Sequence, residues 1–302
     1  MDVRIRRRTR KPHFSANAFL AVANVVYMLL AMSVLTLAGC FPLLLALVLV
    51  PDFGFYPLLL AAAALCAPGI AASFAIFRDH PVFQTSSRSD ALSALADAGN
   101  DPDSDANSGP GSDANSDAGN NANSDVDNGL PDWIASAYVR SDVSVAVFRP
   151  YARAYVRLFW RALIVGVTFG VIEFVALYDA QLLMQVSWGQ LLVPMLLVVA
   201  VISVEAELLT LNLVVEFPKA RWSALLRNGY LFSVRRVLML VVNLACLGVY
   251  TWGLTRSPIL VATLATGVLI FVVWAGVRWQ SQPLALAMAR ESGDRRLVAL
   301  YE

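Results

Sequence analysis

Long apolar runs separated by short polar stretches dominate the pattern of hydrophobic and polar positions along the chain. A helix that crosses a bilayer needs about 20 apolar residues, because ~30 Å of hydrocarbon is crossed at ~1.5 Å per residue. Six runs come close to this length and predict six transmembrane helices: 18–39, 56–77, 162–178, 191–213, 237–254 and 258–276. The sequence therefore predicts an all-α, polytopic integral membrane protein.

Two details of the first two runs complicate this pattern. A further apolar stretch, 43–50, follows the first run after Pro42 and is too short to span a bilayer alone. It is either a kinked extension of the first helix or a shallow interfacial piece, and the sequence leaves both open. Pro68 and Gly69 interrupt the second run and predict a kink there.

The segment 147–162, VFRPYARAYVRLFWRA, predicts an amphipathic helix at the membrane surface. Four arginines at four-residue spacing form one column on a helix, and aromatic rings lie beside them. The candidate surface comprises Arg149, Arg153, Arg157, Arg161, Tyr151 and Tyr155. Such helices place arginines toward lipid phosphates and rings at the headgroup level. We expect this surface to bind anionic headgroups or a partner protein; alternatively, membrane topology alone requires basic residues here.

A low-complexity insertion precedes this segment. Residues 85–129 repeat Asp, Asn, Ser, Ala and Gly and contain nine acidic residues and one arginine. Such a composition buries too little apolar surface to offset the entropy of ordering, so we expect a disordered cytosolic insertion.

These features divide the chain into six parts. They are a basic cytosolic tail (1–17), a first transmembrane hairpin (18–84), the acidic linker (85–131), the amphipathic interfacial segment (132–161), a four-helix transmembrane part (162–277) and a second cytosolic tail (278–302).

Composition agrees with the membrane class, and charge predicts the orientation. The chain is 58% hydrophobic and 15% charged, whereas a soluble domain is roughly half apolar and a quarter charged. With six spans, 22 of the 23 Lys and Arg residues lie on one side of the membrane, and Arg256 alone lies on the other. Because cytosolic loops are enriched in Lys and Arg, both termini are expected in the cytosol.

Motifs for enzyme chemistry are missing from the sequence. Cys40, Cys66 and Cys246 lie in apolar runs without CxxC spacing or nearby histidines, so neither a metal site nor a disulfide framework is indicated. No phosphate-binding, zinc-protease or catalytic-triad pattern is present. The sequence therefore predicts no catalytic residue, no cofactor, no metal site and no nucleic-acid partner, and we do not expect an enzyme.

Polar side chains inside the predicted spans form the candidate intramembrane site. They are Glu173, Glu205, Glu207, Asn212 and Asn243. Carboxylates at such depth are expensive, usually face the bundle interior and mark polar pathways, and the asparagines can supply hydrogen-bond partners. The alternative is that these groups are protonated or paired and merely hold helices together.

Two stretches carry a family resemblance: PGIAASFAIFR at 68–78, continued by 147–161, and LLTLNLVVEFPKARWSALLRNGYLFSVRR at 208–236. Together they resemble the YesL-like family of bacterial membrane proteins, whose function is unknown. The positions that match the family pattern are Phe148, Tyr151, Tyr155, Phe217, Pro218, Leu226, Arg227 and Asn228. The acidic linker and the extension at 41–50 depart from that pattern.

The resemblance implies a link to carbohydrate uptake, because members of that family are often encoded beside sugar importers and glycan-degrading enzymes. We expect a permease-like or transporter-accessory protein whose partners are the lipid bilayer and the subunits of a sugar importer. A homo-oligomer is the other assembly we consider. The alternative function is a non-transporting regulator or scaffold that binds a partner complex through the amphipathic segment.

Overall fold

The computed structural model describes residues 16–50, 53–80, 83, 134, 147–291 and 298. Within these ranges the chain forms helices and no β-strand. We number the α-helices α1 (Ala16–Gly39), α2 (Phe41–Leu49), α3 (Tyr56–Ala64), α4 (Ala67–Asp79), α5 (Phe148–Leu183), α6 (Val193–Glu216), α7 (Trp222–Arg235), α8 (Val237–Arg256) and α9 (Pro258–Glu291). The predicted linker, residues 1–15 of the first tail, and residues 292–297 and 299–302 of the second tail lie outside the described residues.

Six segments are long and apolar enough to cross a membrane. They are Val22–Gly39, Tyr56–Asp79, Phe148–Leu183, Gly189–Glu216, Val237–Arg256 and Pro258–Glu291. The prediction of an all-helical chain with six segments that are long and apolar enough to span a membrane is confirmed for the described residues.

Helix α4 lies at the centre of the bundle, packed against α1, α5, α6 and α9. All of its residues except Ile70 are buried. Its small residues allow neighbouring backbones to come close, as is common between membrane helices. A Cβ atom on Gly69 would lie 3.0 Å from the Cα of Gly39, where α1 ends.

The first and last helices of the chain also pack together. Helix α9 contacts α1 as well as α8. The N–H of Gly267 donates to Ser33 Oγ at 2.7 Å, and a side chain at Gly267 would collide with the Leu29 carbonyl. This contact joins the N-terminal hairpin to the C-terminal part of the bundle.

The second predicted span is divided into α3 and α4 at Leu65 and Cys66. The division lies just before the predicted kink at Pro68 and Gly69, because a proline fits the first turn of a new helix. Residues 41–49 form a separate helix, α2, which begins after Cys40 and packs on α3.

Two helices run past the predicted domain boundaries. Helix α5 is continuous from Phe148 to Leu183, so the boundary between 161 and 162 falls inside it. Helix α9 continues to Glu291 although Pro283 lies within it. Proline has no N–H to donate to the residue four positions earlier, which is Trp279. Arg236 supplies the missing donor, because its Nη1 lies 2.6 Å from the Trp279 carbonyl oxygen.

Candidate functional site

Two of the candidate acids point to opposite sides of α6. Glu205 and Glu207 are two residues apart, which corresponds to about 200° around a helix. Glu205 is buried against α8 and α9, whereas Glu207 is half-buried on the side of α5. The candidate site of the sequence analysis therefore divides into two separate groups of side chains.

The first group, which we call the amide site, consists of Glu205, Asn243 and Gln280. Asn243 Nδ2 donates to both carboxylate oxygens of Glu205, at 2.8 and 3.1 Å. Gln280 Nε2 donates to Glu205 Oε1 at 2.7 Å. All three residues are at most 4% exposed, so one carboxylate joins three spanning helices.

A glycine makes room for this arrangement. A Cβ atom at Gly276 of α9 would lie 2.9 Å from Asn243 Oδ1. The Asn243 side chain therefore occupies space that any other residue at 276 would share with it.

The amides of this region leave their oxygens without donors. Asn243 Oδ1 and Gln280 Oε1 are buried and have no hydrogen-bond partner. Asn212, two turns beyond Glu205 on α6, donates through Nδ2 to Ser281 Oγ at 3.0 Å, and its Oδ1 is likewise unpartnered. Buried acceptors normally find a donor, so three unpartnered amide oxygens on three adjoining helices are unusual.

The second group, which we call the facing carboxylates, consists of Glu173 on α5 and Glu207 on α6. These two helices pack against each other along their length. Glu173 is 8% exposed, and its Oε1 has no hydrogen-bond partner. Glu207 lies about 13 Å along α6 from Glu216, the last residue of that helix.

A cluster of opposite charges marks the end of α4. Arg78 is 2% exposed and donates to both carboxylate oxygens of Asp79, at 2.7 and 3.0 Å. Its Nη1 donates to the Val215 carbonyl at 2.9 Å and lies 3.9 Å from Glu216 Oε2. Val215 belongs to the last turn of α6, whose carbonyls lack partners within the helix. Arg78 therefore caps α6 and neutralises part of the acidic charge around it.

The arginine column is only partly a surface. Arg149, Arg153 and Arg157 are exposed, but Arg161 is half-buried. Its Nη2 donates to the Ala220 carbonyl at 3.1 Å, and its guanidinium lies 5.5 Å from the Trp222 ring. Four-residue steps drift by about 40° each around a helix, so the fourth arginine has rotated toward α6 and α7.

The two tyrosines do not share the arginine surface. Tyr151 is 6% exposed, and its hydroxyl donates to the Gly69 carbonyl at 3.2 Å. Tyr155 is half-buried, with its ring 6.4 Å from that of Tyr151. The prediction that Tyr151 faces lipid or a partner is wrong, because two residues after Arg149 the helix has turned by about 200°.

The residues of the family resemblance occupy different environments. Phe148 is 70% exposed at the start of α5, and Phe217 is buried where α6 ends. Pro218 is half-buried in the turn before α7. Within α7, Arg227 is exposed and Asn228 is half-buried. None of the contacts described above joins these residues to the amide site or to the facing carboxylates.

Sequence reasoning missed Gln280, Ser281 and the Arg78 cluster. Gln280 lies four residues beyond the end of the sixth predicted span, 258–276. A continuation of the helical pattern to 291 was the available signal, since α9 keeps apolar positions after 278. Within the described ranges, no group of three or more His, Cys, Asp or Glu residues has the geometry of a metal site.

Comparisons of the chain with protein-family models, with curated proteins and with solved structures found no match. The resemblance to the YesL-like family therefore stays a prediction.

Proposed function

We propose that this chain is a multi-pass protein of the bacterial cell membrane with both termini in the cytosol. The distribution of basic residues supports this orientation. Arg78 and Arg161 both contact the region where α6 ends and α7 begins, whereas Arg256 ends α8 next to Trp252. Cysteines introduced at the exposed Ser223 and Ser257 test the orientation. A membrane-impermeant maleimide applied to intact cells should label S257C and not S223C, with the unsubstituted chain as the background control.

Its function, in this proposal, is the uptake of small solutes such as carbohydrates, as a permease-like or transporter-accessory protein. The observation that carries the proposal is the pair of facing carboxylates, Glu173 and Glu207. They lie on neighbouring spans, and Glu173 keeps a buried oxygen without a partner. Ionisable groups inside a bundle are costly and by default mark a path for polar solutes or ions.

Sugar uptake into reconstituted vesicles tests the hypothesis that the protein is itself a permease. Vesicles that contain the purified protein are given a panel of radiolabelled mono- and disaccharides. The double variant Glu173→Gln and Glu207→Gln should lower the uptake of any transported sugar about tenfold or more, because it removes both carboxylates from the path. Asp179→Asn, an exposed carboxylate on the same helix α5, is the matched control. Unchanged uptake in the double variant, or no uptake by the unsubstituted protein, contradicts the permease form.

A second candidate function is a non-transporting regulator or scaffold. It is favoured by the exposed face at the start of α5, where the bulky side chains of Phe148, Val156 and Trp160 are each at least 70% exposed beside Arg149 and Arg153. A basic and aromatic face of this kind suits a membrane surface or an acidic partner.

Co-purification in mild detergent tests the second candidate. Importer subunits should remain bound to the intact protein and be lost when Arg149, Arg153 and Arg157 are changed to Gln. Three exposed arginines around α7 provide a control of equal charge: Arg221, Arg227 and Arg235 changed to Gln. If the protein is recovered alone, or only as a homo-oligomer, the result contradicts both the transporter-accessory hypothesis and the regulator or scaffold hypothesis.

A further inference from the structure

The amide site presents a polar arrangement that its own hydrogen bonds do not complete. Two side chains, one from α8 and one from α9, converge on the carboxylate of Glu205 on α6, with donor–acceptor distances of 2.7 to 3.1 Å. Both amides use their nitrogens for these bonds. Their oxygens, Asn243 Oδ1 and Gln280 Oε1, are left buried without a donor.

Neither orientation of the amides satisfies the site by itself. An amide turned by half a revolution exchanges its oxygen and nitrogen at nearly the same positions. With the nitrogens toward Glu205, two amide oxygens are unpartnered, and a buried polar atom without a partner is destabilising. With the oxygens toward Glu205, three acceptor groups face one another. A small cation between them satisfies the carboxylate and both oxygens at once.

We propose that Glu205, Asn243 and Gln280 form a binding site for one small monovalent cation such as Na⁺. The available ligands are all oxygens, which hard cations prefer over transition metals. The site contains one carboxylate, so a single positive charge neutralises it, whereas a divalent ion would leave an excess positive charge inside the membrane. The unpartnered Asn212 Oδ1 lies about 10 Å farther along α6 and is not part of the site.

In the described part of the chain, the charged side chains of the surrounding helices do not pair with Glu205. On α6, Glu207 lies about 200° around the helix from Glu205. On α8 the charged residues are at the two ends: Arg256 is the last residue, and Arg236, just before the helix, donates to the Trp279 carbonyl. On α9, the Arg278 guanidinium lies 5.1 Å from the Trp274 ring. None of the ion pairs in the described part of the chain includes Glu205.

The inference does not depend on the proposed uptake function, because a cation can bind whether or not a solute moves. Its test therefore uses the purified full chain in detergent and no sugar. A sugar panel without flux leaves the sodium result unaffected, and a negative sodium result leaves the sugar assay unaffected.

Thermal unfolding in chloride salts of sodium, potassium and choline at constant ionic strength is the first measurement. At mildly alkaline pH, sodium should raise the melting temperature by roughly 2–5 °C in a saturable way, because a ligand that binds only the folded state stabilises it. Potassium should act more weakly and choline not at all. Equal melting temperatures in the three salts overturn the proposal. Stabilisation by acid alone, without a sodium effect, also overturns it, since Glu205 then holds a proton.

Variants locate the site. Glu205→Gln should raise the half-saturating sodium concentration about tenfold or more, since the charged ligand is gone. Glu207→Gln, the acid on the opposite side of α6, should keep the sodium response. An unchanged response in Glu205→Gln overturns the proposal.

A second pair of variants covers the case in which Glu205→Gln does not fold. Gly276→Ala presses on Asn243 Oδ1 and should weaken the sodium response, whereas Gly248→Ala on α8 meets open space and should not. Equal sodium responses in these two variants overturn the site. Equilibrium binding of radioactive sodium to the unsubstituted protein, displaced by sodium and not by choline, should accompany the effect, and no displaceable binding overturns it.

Discussion

Glu205 and Glu216 lie on the same helix, eleven residues or about 16 Å apart, and their partners differ in kind. Glu205 receives hydrogen bonds from two neutral amides. Glu216 lies beside Arg78, a full positive charge, at 3.9 Å. We call the second region the arginine end and define it by three arginines that donate to backbone carbonyls: Arg78 to Val215, Arg161 to Ala220 and Arg236 to Trp279.

The difference follows from where a cationic side chain is tolerated. An arginine near the middle of a bilayer costs about 2.5–3.5 kcal/mol on insertion scales, whereas near a helix end its head can reach the interface. At the arginine end, the guanidiniums of Arg78 and Arg236 also meet carbonyls that local helix geometry leaves without a donor. Deeper in the bundle, amides are the cheaper partners, and they leave the charge of the acid uncompensated. The comparison teaches why the deeper site can take up a cation and the arginine end cannot.

The largest expected effect comes from breaking the arginine end. Arg78→Met removes the guanidinium that contacts Asp79 and Glu216, and it removes the donor to one carbonyl of α6. Removing one partner of a buried ion pair typically costs about 3–5 kcal/mol. We expect a loss of this size in the free energy of unfolding, measured by SDS titration in mixed micelles. Arg227→Met, at an exposed arginine of α7, is the control and should change it by less than about 0.5 kcal/mol. A loss below about 1 kcal/mol for Arg78→Met would show that the ion pair does not hold this end together.

The next effect is at the amide site and should be smaller. Glu205→Ala leaves the amide groups of Asn243 and Gln280 without their acceptor, which costs about 1–3 kcal/mol because the stranded groups are neutral. Glu205→Gln should cost less than Glu205→Ala, since its side-chain oxygen still accepts a hydrogen bond. The same titration, in choline buffer, measures both variants, and Asp179→Ala is the exposed control. If Glu205→Ala costs more than Arg78→Met, the ranking of the two regions is wrong.

The sequence predicted the membrane class and the number of spans because these depend on local composition alone. It also named Asn243 as a potential partner for the acids, and the structure places that amide on Glu205. Sequence spacing alone did not pair the helices, so Gln280 was missed although it lies 2.7 Å from Glu205 Oε1. The pairing depends on α9 packing against α6 and α8, a tertiary contact between residues 75 positions apart.

The spacing of two residues on one helix predicts whether their side chains can share a site. Glu205 and Glu207 were treated as one site, yet two residues on a helix face nearly opposite directions. The same rule separates Tyr151 from Arg149. The arginine at position 161 is different: its drift from the column is readable from the sequence, but its contact with Ala220 depends on where the turn after α6 lies. Periodicity predicts the direction of a side chain, and packing decides what it meets.

An intermediate effect tests whether arginines at this end act on carbonyls. Pro283→Ala restores the N–H that a regular helix would donate to Trp279, so Arg236 is no longer the only donor available to that carbonyl. Arg236→Gln should therefore cost less in the Pro283→Ala background than in the unsubstituted chain. The coupling in a double-mutant cycle should be about 0.5–1.5 kcal/mol. Arg235→Gln, at the exposed neighbouring arginine, serves as the control in both backgrounds. Additive effects of Arg236→Gln and Pro283→Ala would mean that Arg236 stabilises the bundle through its contact with the Trp279 ring instead.

The smallest expected effect is a pH dependence confined to the arginine end. His80 follows α4 directly and is 2% exposed, and burial lowers its pKa below the ordinary value of 6.5. The unfolded chain therefore takes up this proton at a higher pH than the folded chain does. The contribution of neutral His80 to stability is fully present above the pKa that His80 has in the unfolded chain. It is lost as the pH falls toward the lower pKa that His80 has in the folded chain. We expect the free energy of unfolding of the unsubstituted protein, minus that of His80→Gln, to fall as the pH is lowered through 6.5. A flat difference would mean that His80 titrates alike in both states and that burial of this ring at the arginine end has no electrostatic consequence.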